Sequence, residues 1–202
     1  MKKITTILGL ILGLLWNGHV VSNSLTEHNT NVVFKELKTG DILFQIGNGS
    51  DFEEAVIGST SDIYDKNYSH CGVIYFENDS IFVLEAETEN GVVKTNFDDF
   101  YRNSKHLVVG RLKPDYQYII DNAILRVLKL IGKKYDFIFS DENDDYYCSE
   151  LIQKTFTDNN NNPIFETIPM TFKDKITNET IPYWIEYFEK LNTEIQIFLL
   201  HE

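Results

Sequence analysis

The stretch Tyr146-Tyr147-Cys148-Ser149-Glu150-Leu151-Ile152 is where an aromatic, irregular segment gives way to helical periodicity. Leu151, Ile152 and Phe156 fall on one face at helical spacing, while Ser149, Gln153 and Lys154 are polar. This predicts a packed helix with Cys148 in its first turn. The first turn of a helix carries backbone N–H groups without intrahelical partners and lies at the positive end of the helix dipole. Both favour a thiolate, the reactive form of cysteine, and a neighbouring imidazolium takes the thiol pKa further below its free value of about 8.5. A second description fits the same residue: a small buried hydrophobe, or half of a disulfide. Which one holds depends on what the rest of the chain brings to this sulfur.

With 202 residues, 43% of them hydrophobic and 13% aromatic, the chain has the apolar material for a single domain, expected over residues 34–202. A net charge of −13 without any cluster of Lys and Arg argues against a nucleic-acid partner and against a bare anionic membrane surface. Lys2 and Lys3, the apolar run Ile7 to Trp16 and the modest residues Val20-Val21-Ser22 read as a signal peptide over residues 1–22. The run is too short to span a bilayer; an uncleaved anchor is the alternative. Residues 23–33 read as a flexible lead-in, and the expected product is an exported chain, periplasmic or secreted, with no transmembrane segment after signal removal. Export lets thiols pair, so a structural disulfide between Cys71 and Cys148 is the rival to a reactive cysteine.

Ahead of the cysteine the pattern is mostly β. Lys38-Thr39-Gly40-Asp41 is a turn before the strand run Ile42-Leu43-Phe44, and Ser50-Asp51-Phe52-Glu53 is a capping-box pattern for a short helix that Gly58 would end. Cys71-Gly72-Val73-Ile74-Tyr75-Phe76 and Ile81-Phe82-Val83-Leu84 flank a turn at Asn78-Asp79 and predict a hairpin. If Glu77 faces Ser80, then Gly72 faces Glu85, and His70 has Glu87 opposite and Glu85 as its diagonal neighbour on the same side. Alternation then directs Cys71 to the other face, away from Cys148 if His70 faces it, so the disulfide and a Cys148–His70 pair exclude one another unless the strand bulges.

Gly91 to Thr95 and Leu107 to Leu112 read as further strands of an antiparallel meander, with a helical turn at Asp98 to Tyr101 between them. His106 has no acid in view and reads as a surface residue. Ile120, Ile124, Val127, Leu128 and Ile131 mark an amphipathic helix that Gly132 would terminate. The acidic run Asp141 to Asp145 lacks the alternation and glycine of a calcium loop and reads as solvated. Asp158 to Pro163 is a turn cluster, Tyr183 to Phe188 a last helix packed on the core, and Glu194 to Leu200 an edge strand. There is no metal-spaced His/Cys cluster and no glycine-rich phosphate loop, so neither metal nor cofactor is expected.

Gly40-Asp41-Ile42-Leu43-Phe44, then Ser69-His70-Cys71-Gly72-Val73-Ile74, Leu84-Glu85-Ala86, and Gly132-x-x-Tyr135 before Tyr147-Cys148-Ser149-x-Leu151-Ile152 resemble the NlpC-type papain-like cysteine hydrolases. With the cysteine block last, the order resembles the circularly permuted branch, the YiiX/YaeF-like amidases. The resemblance implies an α+β, circularly permuted papain-like fold: an antiparallel sheet or barrel-like meander with the catalytic cysteine at the N-terminus of a helix packed against it. It makes Cys148 the nucleophile, His70 the general base and then acid, and Glu85 the group that orients the imidazole, with Glu87 as the competing acid. It places Tyr135 near the sulfur as an oxyanion donor or substrate contact, Tyr147 being the other candidate. The implied activity is an exported amidase or peptidase acting on a short peptide or an N-acyl amino-acid amide; the compartment suggests a cell-wall source. The alternatives are a thioesterase or lipid acyltransferase on the same Cys–His apparatus, and a non-enzymatic binding module with a Cys71–Cys148 disulfide.

Overall fold

Asn78 and Asp79, both at positive φ (48° and 64°), make the two-residue turn between β2 (His70–Glu77) and β3 (Ser80–Glu87). Two successive left-handed residues match the twist of the strands they join, which selects a tight hairpin and with it the register. Glu77 pairs with Ser80 and Val73 with Leu84, as the turn requires. In the computed structural model, which describes residues 36–59, 68–167 and 170–191, this hairpin forms the middle of a five-stranded antiparallel sheet in the order β4-β3-β2-β1-β5. The expected signal peptide, the lead-in and the edge strand at Glu194 to Leu200 lie outside the described residues.

β1 (Ile42–Gly47) pairs with the outer side of β2, and β4 (Gly91–Asn96) with β3. The short helix α2 (Phe97–Arg102), capped where the Asn96 side chain accepts from Asp98 N–H at 2.9 Å, then carries the chain across one face of the sheet. β5 (Ser104–Gly110) therefore joins β1 at the far edge. The sheet is open, so the barrel-like closure expected from the meander does not form: β4 and β5 end opposite edges and do not pair.

Alternation gives the sheet two buried faces. Leu43, Ile74, Val83 and Leu107 meet Phe97 and Phe100 of α2 on one side. Phe44, Cys71, Val73, Leu84 and Val108 face the other, larger cluster, which includes residues of all the remaining helices. These are α1 (Asp51–Ser59), α3 (Ile120–Leu130), α4 (Cys148–Thr155) and α5 (Pro182–Lys190). α1 opens on the expected capping box, Glu53 N–H donating to Ser50 Oγ at 3.2 Å and Ser50 N–H to Glu53 Oε2 at 2.9 Å, but it continues through Gly58 to Ser59. A 3₁₀ helix over Pro114–Ile119, which the hydrophobic period did not announce, precedes α3. α5 brings Trp184 and Phe188 against Phe172, and Trp184 Nε1–H donates to Ser59 Oγ at 3.2 Å.

The Gly40-Asp41 turn is structural. Asp41, 1% exposed, accepts Arg111 Nε–H and Nη2–H at 2.6 and 2.7 Å and Lys38 N–H at 2.8 Å. Its forked pairing with Arg111 joins the entrance of β1 to the exit of β5, satisfying a carboxylate that burial alone would penalise.

Candidate active site

Cys148 is the first residue of α4, preceded by Tyr147 in extended conformation (φ −98°, ψ 170°). The segment before it is pinned by a short parallel bridge between Tyr135 and Tyr146, in which Asp136 N–H donates to Tyr146 O at 3.2 Å and Tyr146 N–H to Lys134 O at 3.0 Å. Leu151, Ile152 and Phe156 are wholly buried, as their spacing requires. α4 packs on the Cys71–Val73–Leu84 face of the hairpin, with its N-terminus near the start of β2.

His70 is the first residue of β2, and its ring leaves the strand on the α2 side, 5.8 Å from the ring of Phe100. Gln45 secures this end of α2, its Nε2 donating to the carbonyls of Phe100 and Asn103 at 3.4 and 3.1 Å and to Ser104 Oγ at 2.8 Å. His70 Nε2 lies 2.6 Å from Glu85 Oε2. Glu85 is 5% exposed and is the diagonal neighbour that the hairpin register predicts. Glu87 is not the partner: its carboxylate accepts from the backbone of Glu89 and Asn90 at 2.9 and 2.7 Å and so ties its own turn.

The expectation that His70 and Cys71 could not both approach Cys148 is overturned. His70, Cys71 and Cys148 border the same cavity, and both the Cys71 thiol and the His70 ring act on the Cys148 sulfur. Alternation fixes the face from which each Cβ leaves, and it puts Cys71 on the α4 face. It does not confine a ring at the end of a strand. His70 has no earlier residue of β2 beside it, and its imidazole meets the sulfur at the strand end. With Nε2 turned to Glu85, Nδ1 is the nitrogen left for Cys148. The two cysteines are free thiols, not a disulfide.

This arrangement moves protons. The hydrogen bond from the Cys71 thiol, joined by the bond and charge of His70, draws the Cys148 thiol well below its ordinary pKa against the opposing effect of burial. Burial by itself pulls the His70 imidazole down, but the bonds and charges of Cys148 and Glu85 outweigh it and raise the pKa from 6.5 to about 10. Both shifts favour thiolate and imidazolium over the neutral pair. Burial, reinforced by the nearby Cys148 charge, pushes the Tyr135 phenol well up, so it keeps its proton and can donate.

Tyr135 and Cys148 border a narrow apolar cavity of about 40 Å³ walled by Phe52, Val56, Phe139, Phe172 and Trp184. His70, Glu85 and Tyr135 also border a wider, more polar groove of about 860 Å³. Tyr147 sits mainly in the packing, its ring edge-on to Phe139 at 5.4 Å. His106, expected at the surface, is half-buried with its ring stacked on Tyr68 at 6.3 Å.

Three features escaped the sequence reading: Cys71 and His70 together beside the sulfur, where Cys71 was expected only as a disulfide partner excluding His70, the aromatic wall of the cavity, and the buried polar pair Ser149 and Glu150. Ser149 Oγ is buried without a hydrogen-bond partner among the described residues and borders the cavity. Cys71 was recoverable, because it alternates with Val73 and the Leu151–Ile152 face of α4 needs an apolar surface to cover. The aromatic wall was not, since it gathers residues from distant segments. Among the described residues no group of three or more His, Cys, Asp or Glu side chains is arranged to hold a metal ion.

YiiX of Escherichia coli K12 is 32% identical over 126 residues, covering 59% of this chain and 57% of that protein. A crystal structure of YiiX from Escherichia coli O157:H7, titled a metalloprotein, is 30% identical with a TM-score of 0.47, over 59% of this chain and 64% of that one. A stretch of the DNA-directed RNA polymerase subunit beta of Neospora caninum is 26% identical over 128 residues, only 12% of that protein. The chain thus spans less than two thirds of each of these relatives. A family model described as the permuted papain-like amidase enzyme, YaeF/YiiX, C92 family, matches residues 36–190, which include every residue of the site. The chain belongs to the permuted papain-like amidases of the YaeF/YiiX type.

Proposed function

We propose that this chain is an exported thiol hydrolase that cleaves an amide bond in a short peptide or N-acyl amino acid, with Cys148 as nucleophile. The observation that carries the reading is the array of Cys148, His70 and Glu85, in which an imidazole held by a buried carboxylate lies beside a sulfur at a helix N-terminus. The Cys148 thiolate attacks the scissile carbonyl carbon, and the electron pair of the C=O bond moves onto oxygen. The Cys148 backbone N–H and the protonated Tyr135 hydroxyl supply donors for that oxyanion; one positioned donor is worth roughly 2.7–4 kcal/mol in comparable sites. His70 gives its proton to the leaving amine. It then takes a proton from the water that clears the acyl-enzyme, while Glu85 keeps the ring in one orientation.

The two recesses suit the two halves of such a substrate. The amine half departs on the His70 side, where the groove of about 860 Å³ is large enough for a short peptide. The acyl half lies toward the apolar cavity. Its aromatic walls favour a second reading, a thioesterase or lipid acyltransferase. At about 40 Å³, however, the cavity would have to open to take a long chain.

The test is the Cys148→Ala variant on matched peptide, N-acyl amino-acid and acyl-ester panels, together with labelling by a thiol-directed electrophile. The wild type is expected to react at pH 6. Replacing His70 with Ala should lower that labelling about a hundredfold, as the thiol returns toward a pKa of about 8.5. Hydrolysis unchanged in Cys148→Ala removes the nucleophile from the scheme. A preference for acyl esters over amides selects the second reading.

A further inference from the structure

The hydrolytic scheme uses one sulfur, yet a second lies against it. Cys71 is 2% exposed in the core on the α4 side of β2, lines the same cavity as Cys148, and each thiol shifts the ionisation of the other. Both sulfurs are free, and both residues border the apolar cavity. A buried structural cysteine is ordinarily inert, because it is neither ionised nor reachable. Here the half-buried Cys148 borders a recess that a small oxidant can enter, and the buried Cys71 borders the same recess.

We propose that Cys71 and Cys148 form a reversible, hydroperoxide-responsive thiol pair, in which Cys148 is oxidised first and Cys71 then closes a disulfide onto it. That this switches hydrolysis off rests on Cys148 being the nucleophile; the chemistry of the pair does not. In the first step the Cys148 thiolate attacks a peroxide oxygen. An S–O bond forms, the O–O bond breaks, and the departing hydroxide takes the His70 proton and leaves as water. Cys148 becomes a sulfenic acid, its sulfur oxidised by two electrons while the peroxide is reduced. In the second step the Cys71 sulfur attacks the Cys148 sulfur, an S–S bond forms and the S–O bond breaks. The Cys71 proton, relayed by the now neutral His70, leaves with the hydroxide as a second water. Two thiols and one hydroperoxide thus give one disulfide and two waters, or one water and an alcohol for an organic hydroperoxide. A dithiol reductant reverses the change by exchange.

The positions divide the labour. The bond to Cys148, with burial and the nearby charges, pushes the Cys71 thiol well up, so it stays protonated and does not compete for the oxidant. With both thiols on one small cavity, the disulfide can form before a second peroxide carries Cys148 to the sulfinic acid, which dithiols do not reduce.

The test treats the reduced full chain with hydrogen peroxide, probes Cys148 with iodoacetamide, and maps peptides by mass spectrometry without reduction. For the wild type we expect Cys148 labelling to fall at least roughly tenfold, a Cys71–Cys148 linked peptide to appear, and dithiothreitol to restore labelling. In Cys71→Val, and in Cys71→Ala should valine disturb the core, labelling should fall as far but stay lost, with sulfinic or sulfonic acid on Cys148. Sulfinic acid on wild-type Cys148 with Cys71 still a free thiol overturns the proposal, and needs no variant to show it. Linked sulfurs together with an active Cys148→Ala would keep the pair and discard the nucleophile. Unlinked sulfurs with an inactive Cys148→Ala would do the reverse.

Discussion

Replacing Glu85 with Gln isolates the contribution of one negative charge at a fixed position. The carboxylate lies 2.6 Å from His70 Nε2 and is 5% exposed, so solvent does little to screen it. Glutamine is close in shape and its amide oxygen can still accept, so the change trades a charge-assisted hydrogen bond of about 1.5–3 kcal/mol for a neutral one of about 1 kcal/mol. The net loss is about 1–2 kcal/mol, or about one pKa unit at 1.36 kcal/mol per unit. The folded-state pKa of His70 is raised from 6.5 to about 10. The stability it contributes is therefore complete below 6.5 and lost as pH rises through 10. In Glu85→Gln that loss should begin about one unit lower. Because imidazolium and thiolate stabilise each other, the acid limb of Cys148 alkylation should move up by a similar amount. Carbon-13 shifts of the His70 ring across pH report the first change, and iodoacetamide rates between pH 3 and 8 report the second. Identical titrations in wild type and variant would refute the electrostatic role assigned to Glu85. A wild-type His70 titrating near 6.5 would refute the ion pair itself.

Three further outcomes follow from groups around the site. Glu150 is fully buried beside Lys154, and burial raises its pKa from 4.5 to about 7, so its contribution to stability is complete below 4.5 and lost as pH rises through 7. Glu150→Gln should exceed wild type in urea-melt stability by about 2–3 kcal/mol at pH 8.5, with the gap closing below pH 4.5; equal stabilities at pH 8.5 would contradict this. Asp41→Ala removes the buried acceptor of Lys38 N–H and of the partly exposed Arg111 guanidinium at the β1–β5 junction and should cost about 1–3 kcal/mol, read as a lower urea midpoint with unchanged slope. Gly91 has φ 73°, and a Cβ there would lie 2.0 Å from the Lys133 carbonyl oxygen. Gly91→Ala should therefore break the backbone bonds joining β4 to the end of α3, measured as faster amide exchange at Val92 and Gly132 and a lower melting temperature.

Some of this site is written locally. The Asn78-Asp79 turn sets the hairpin register, and a period of two then makes Glu85 the diagonal neighbour of His70 without help from the rest of the chain. Likewise, the change from irregular segment to helical spacing at Cys148 puts that sulfur on a helix N-terminus. Both are consequences of backbone geometry over a few residues, which is why a reading of the residues in order reaches them.

Other features exist only because distant segments meet. Alternation told that Cys71 leaves the strand opposite His70, but not which of those faces α4 would cover. That depends on how Leu151 and Ile152 bury against Val73 and Leu84, and it brings the second thiol to the first. The open sheet depends on α2 carrying β5 past the hairpin to the free edge of β1, and the aromatic wall on Phe52, Phe139, Phe172 and Trp184 converging from four separate segments. Burial of apolar surface drives these meetings and has no direction along the chain. Residue order alone could name the sulfur, the imidazole and the carboxylate, while their company was decided by packing.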